Sequence, residues 1–150
     1  HLGHINKADM RWRLFIFCNN SNPLKKQSKL QKLMGFIFES NKSPVIKYTP
    51  KNFDVDSIID VVTVFQYKNE VSIEHMNDLF TPKKGKYKLR DYEKVFTSIP
   101  EKDIFKSRMI NQREGCILII RPDQHIANIL SLDCHHSLAS FFKKIMLPIH

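Results

Sequence analysis

Cys18-Asn19-Asn20-Ser21 is the spacing in this chain that comes nearest to a chemical device. A thiol that ends an apolar strand and opens a helix has its pKa lowered by the helix dipole, which makes it a nucleophile. Cys-x-x-Ser keeps that nucleophile and lacks a resolving cysteine. Cys18 also continues the apolar alternation of the residues before it, so it reads equally as a small buried side chain. Two further cysteines, Cys116 and Cys134, follow at no regular spacing. An odd count without a pattern argues against a disulfide framework and for a reducing compartment. Histidines at 4, 75, 125, 135 and 136 are scattered, and neither CxxC nor HExxH occurs. No ligand spacing for zinc is present.

The second chemical feature is charge. The formal net charge is +9. Lys83, Lys84, Lys86, Lys88 and Arg90 concentrate part of it, with Tyr87 and Tyr92 among and beside them. A basic segment of this kind suits nucleic acid or another polyanion. It reads more simply as a solvated loop that keeps the domain soluble. No nucleic-acid-binding motif accompanies it, which makes nucleic acid the less favoured partner.

These residues need elements to position them. The chain has 150 residues, 42% of them hydrophobic, with eleven phenylalanines. That is enough for one domain with a core that needs no disulfide or metal. No apolar run is long enough to span a membrane. The opening His1-Leu2-Gly3-His4 has neither an initiator Met nor a signal core, which reads as a piece of a longer or processed chain.

Gly115 to Leu132 organises the rest. Cys116–Ile120 is an unbroken apolar run closed by the turn Arg121-Pro122-Asp123-Gln124, and Ile126, Asn128 and Leu130 alternate with Ala127, Ile129 and Ser131. This predicts a β-hairpin with a four-residue connection. Leu138, Phe141, Phe142 and Ile145 then fall at helical spacing. Upstream, Arg11–Cys18 predicts a first strand, with Trp12, Leu14, Ile16 and Cys18 on one face and Arg13, Phe15 and Phe17 on the other. Asn22 as N-cap and Pro23 at the first turn predict a helix from there to Glu39, with Leu30, Leu33, Met34, Ile37 and Phe38 facing the core. Ser40–Asp56 reads as a loop and Ser57–Tyr67 as a second strand. Ser72–Phe80 reads as a short helix. Thr81–Pro100 reads as a connection anchored by Tyr87, Tyr92, Val95 and Phe96, and Lys102–Ile110 as containing a helical turn. The order strand, helix, strand, short helix, strand, strand, helix implies a parallel pair joined by a right-handed crossover, followed by an antiparallel hairpin. The fold class is α/β: a thioredoxin-like, mixed central sheet flanked by helices.

Six stretches in order carry a resemblance. They are His1–His4, Ala8–Arg13 (ADMRWR), Tyr48-Thr49-Pro50, Asp56–Asp60, Lys84–Phe96 (KGKYKLRDYEKVF) and Glu114–Gln124 (EGCILIIRPDQ). Together the chain resembles the C-terminal domain of phenol 2-monooxygenase and related flavin-dependent aromatic hydroxylases. The resemblance implies a thioredoxin-like domain behind FAD and substrate domains, with a part in homodimer contacts, in a cytoplasmic enzyme that uses FAD and NADPH. Pyrophosphate binding by GxGxxG needs clustered glycines. The four glycines here, Gly3, Gly35, Gly85 and Gly115, are far apart. No flavin-binding or catalytic residue is therefore expected in this chain. Asn41–Asp56 and Thr81–Pro100 are expected as contact surfaces, with Lys83, Lys84, Lys86, Tyr87, Arg90 and Tyr92 as the contact side chains. The alternatives are a thiol oxidoreductase using Cys18 and a polyanion-binding module using residues 83–90.

Overall fold

The computed structural model describes residues 2–23, 25–69, 71–72, 76 and 78–147. Its centre is a five-stranded mixed sheet in the order β5-β2-β1-β6-β7. Strands β1 (Trp12–Phe17) and β2 (Ile59–Phe65) run parallel, as do β2 and β5 (Val95–Thr97). Strand β6 (Cys116–Ile120) runs antiparallel to β1, and β7 (Ile126–Leu130) antiparallel to β6. This is the mixed, helix-flanked sheet that the sequence predicts, consistent with a thioredoxin-like fold. A separate two-stranded ribbon, β3 (Lys83–Lys84) with β4 (Leu89–Arg90), stands off it.

The two sheet faces are packed unequally. Leu14, Ile16, Cys18, Ile117 and Ile119 point to one face. There they meet α1 (Lys29–Glu39), α2 (Pro44–Tyr48) and α4 (His135–Lys143) through Leu33, Ile37, Val45, Leu138 and Phe142. Trp12 stacks edge-on against Phe141 and Phe142 at 5.9 and 5.5 Å. On the other face Phe15, Phe17, Val62, Val64 and Ile120 are covered by the short helix α3 (Ile104–Ser107), through Phe105, and by Ile5 and Ile110. The strands are apolar on both sides because both sides are roofed where β1 and β2 lie.

Four expectations need correction. The first helix does not begin at Pro23. Ser28 is its N-cap, accepting from the Gln31 amide, while the Ser28 hydroxyl and the Gln31 side chain both donate to the Pro23 carbonyl. That carbonyl is thereby taken up by side chains, and the residues between form turns. Ser40–Asp56 is not merely a loop. Ser43 caps α2, which buries Val45 and Tyr48, and the Ser43 hydroxyl also donates to the Ile37 carbonyl at 2.5 Å. Thr81–Pro100 is not merely a connection, since it holds the β3–β4 ribbon and the edge strand β5. Val95 and Phe96 anchor it as expected, but Tyr87 is 79% exposed and Tyr92 is also exposed. Ile145 lies beyond the end of α4 and is exposed rather than part of its buried stripe. Of the helix predicted over 72–80, residues 73–75 and 77 lie outside the described residues, and 78–80 form a turn.

Candidate functional site

Arg13 and Asp60 each interrupt an otherwise apolar strand. They are register partners across the parallel β1–β2 pair. Arg13 is 1% exposed and Asp60 is buried, so two full charges lie inside the sheet flank. Such charges persist only when they are paired and hydrogen-bonded. The Arg13 guanidinium donates to the Lys7 carbonyl at 2.5 Å and to Asp9 at 2.6 Å, and its Nε lies 3.6 Å from Asp60. Lys94, also buried, donates to Asp60 at 2.6 Å and lies 2.8 Å from Asp56. Lys84 bridges Asp56 and Asp91 at 2.8 and 3.0 Å. Arg11 joins Asp9 to Asp56 at 2.7 and 3.3 Å. Four carboxylates (Asp9, Asp56, Asp60, Asp91) thus face four cations (Arg11, Arg13, Lys84, Lys94) in one charge-balanced network.

The network's electrostatics follow from its geometry. Burial pushes the Asp56 carboxyl up, but hydrogen bonds from Lys84 and Lys94 outweigh it and hold the group below the ordinary carboxylate range. Asp91 is depressed in the same way, against the cost of burial, by Lys84 and Lys94. Burial also opposes the depression of Asp9, which the hydrogen bonds from Arg11 and Arg13 bring about. Asp9, Asp56 and Asp91 are therefore held as anions, away from proton exchange near neutral pH. The cluster also lies where the parallel strands begin, whereas ligands of α/β sheets bind beyond the strands' carboxyl ends. It ties the lead-in at Asp9, both central strands and the β3–β4 ribbon together.

The other predicted residues separate cleanly. Cys18 is fully buried, and desolvation pushes its thiol well above its ordinary value. No helix starts beside it, since α1 opens only at Lys29. The dipole that would activate it is missing, and these facts weigh against a nucleophilic role. Cys116 is likewise pushed up by burial. His135 stacks on Phe36 at 5.0 Å, and His125 sits beside Asp123. His75 lies outside the described residues. Among the described residues no group of three or more His, Cys, Asp or Glu side chains is arranged to hold a metal ion. Nor is any helix among them long and apolar enough to cross a membrane.

The basic cluster is a built ribbon. Its tip turns at Gly85 and Lys88, both at positive φ, and the Gly85 amide donates to Asp54 at 2.9 Å. Lys83 and Arg90 both reach Asp78, and Lys84 belongs to the buried network. Lys86 and Lys88 make no ion pair among the described residues, and Tyr87 and Leu89 are exposed between them. The Lys86 ammonium lies 5.9 Å from the Tyr87 ring centroid. Sequence reasoning singled out this ribbon and missed the network beneath it. The signal was available: one Arg and one Asp, each the second residue of an apolar parallel strand. An open depression of about 880 Å³, lined by Phe96, Ser98, Ile104 and Lys106 among others, lies beside β5. The buried acid on its rim, Asp103, is already engaged by the Phe105 amide and the Gln112 side chain, each at 3.0 Å.

The described residues thus combine a thioredoxin-like sheet, a buried Cys18, a fixed ion network and a projecting basic ribbon. All of residues 1–150 match the family described as the phenol hydroxylase C-terminal dimerisation domain, and the chain belongs to that family. It is 38% identical over 149 residues to the 3-hydroxybenzoate 4-monooxygenase of Comamonas testosteroni, covering 97% of this chain and 23% of that protein. It is 30% identical over 145 residues to the FAD-dependent monooxygenase TerD of Aspergillus terreus, covering 93% of this chain and 24% of that protein. The chain thus spans about a quarter of the length of these relatives. The stretches Ala8–Arg13, Asp56–Asp60 and Lys84–Phe96, which carry the resemblance in the sequence, are the stretches that supply the ion network.

Proposed function

We infer that these residues serve as the dimerising and bracing C-terminal part of a cytoplasmic FAD- and NADPH-dependent aromatic monooxygenase. The observation that carries this reading is the match of the whole chain to a dimerisation-domain family, joined to relatives about four times longer that are named as monooxygenases. The absence of clustered glycines supports placing FAD in the upstream domains rather than here. In this reading the β3–β4 ribbon is the contact to the catalytic part. Lys83, Lys84 and Arg90 hold its base, and Lys86, Tyr87 and Tyr92 meet an acidic, partly apolar surface. The thiol and polyanion alternatives have no observation in their favour.

The test uses the full-length protein. It is expected to purify yellow and to sediment as a dimer, and deletion of residues 1–150 is expected to leave a flavin-binding monomer. A colourless full-length protein, or a monomeric one, overturns the reading.

A further inference from the structure

The sheet face under α3 is only half covered. Ile5, Phe105 and Ile110 roof β1, β2 and the Ile120 end of β6, while β7 beyond them leaves Ile126 and Ile129 exposed. Directly opposed residues of an antiparallel pair project to the same face. Leu118 opposes Ile129 and Ile120 opposes Ile126, so these four side chains share the face of Phe15 and Phe17. Ile119 pairs with Asn128 and Ile120 with Ile126, which leaves Ala127 as the extra residue of a bulge. The bulge is why both Ile126 and Ile129 emerge on this side. They are 58% and 59% exposed.

The geometry points to this β6–β7 face as the surface on which two copies of the chain meet. The inference rests on the dimerisation reading and names its contact. A two-fold contact sets each patch against itself. In a chain of net charge +9, the basic ribbon 83–90 set against its own copy would repel. The hairpin strands instead carry no charged residue from Cys116 to Ile120 or from Ile126 to Leu130. Most charges that border them are paired, Arg121 with Asp123 at 2.6 Å and Lys29 with Glu114 and Asp133 at 3.0 and 2.9 Å, which leaves Arg113 as an exposed cation beside β6. An apolar centre with a polar rim is the usual anatomy of such an interface. Face-to-face packing is favoured over edge-to-edge, since the Ile129 amide already donates to the Asn128 side chain at 2.8 Å and is lost to edge pairing.

The test is Ile126→Lys with Ile129→Lys in the full-length protein, followed by sedimentation equilibrium, with flavin content and circular dichroism as folding controls. Neither side chain is in the core, and the folded, flavin-bound state is expected to survive. Four lysines per two-fold interface are expected to raise the dimer dissociation constant at least about 100-fold. A variant that stays a dimer at the parent's affinity overturns this inference and leaves the dimerisation reading standing. A parent that is itself monomeric overturns both. If the variant loses flavin and structure, hydrogen exchange on the unaltered protein decides. Protection of residues 116–130 that rises with concentration supports the assignment, and protection that rises only elsewhere overturns it.

Discussion

Arg13 and Asp60 show why a buried ion pair is read by what surrounds it. Taking both from water costs several kcal/mol per ion, and only multiple hydrogen bonds return it. Arg13 has Lys7 and Asp9, and Asp60 has Lys94. The gain is positional: the side chains lock β1, β2 and the segment that carries Lys94 in one register. Asp60→Asn removes one negative charge while keeping the shape. It leaves Lys94 and Arg13 with surplus positive charge where water does not reach. Urea denaturation is expected to show a loss of about 3–5 kcal/mol with an unchanged m-value. A loss below about 1 kcal/mol, the worth of a surface pair, would mean that water reaches the network.

At the scale of elements, the sequence was most readable where one signal acted alone. Apolar runs, unbroken in β6 and interrupted in β1 by Arg13 and in β2 by Asp60 and Thr63, placed all three strands within a residue or two. The α1 start was misplaced because Asn22-Pro23 is a good local cap, and the better competitor, Ser28, wins through side-chain bonds to the Pro23 carbonyl. Strand β5 was missed because three residues carry no period, and its existence depends on pairing with Thr63–Phe65. The candidate site divides the same way: the ribbon is visible as local charge, while the network exists only when distant segments meet. Gly115 marks a junction between elements whose demand is local. It has φ +65, and a Cβ there would lie 2.3 Å from the Phe17 carbonyl oxygen and 2.8 Å from the Asn19 amide nitrogen. Either β6 would have to leave the end of β1 or the backbone would have to strain. Gly115→Ala is therefore expected to cost about 3 kcal/mol, read as a lowered melting temperature. A variant as stable as the parent would show that β1 and β6 part easily.

Across the whole molecule the network joins segments far apart in sequence, from Asp9 to Lys94, and this makes the global stability sensitive to acid. Asp9, Asp56 and Asp91 have folded-state pKa values below their ordinary ones. An unfolded aspartate titrates near about 3.9. Between the folded and unfolded values the unfolded chain binds more protons, so stability rises with pH across that window. The contribution is complete above the unfolded value and is lost as pH falls through the folded one. Lys84 has the opposite sign. Burial lowers its pKa, but its hydrogen bonds to Asp56 and Asp91 raise it by more. Its contribution is present below an ordinary lysine pKa of about 10.4 and is lost as pH rises through the higher folded value. The urea midpoint is thus expected to be level from about pH 5 to about pH 9 as far as these groups are concerned, and to fall below about pH 4. Asp56→Asn removes one of the depressed carboxyls and loosens Lys84 and Lys94. It is expected to lower the plateau and flatten the acid limb. A midpoint as high at about pH 3 as at neutrality in the parent would show that these carboxylates stabilise the folded chain no more than solvated ones do.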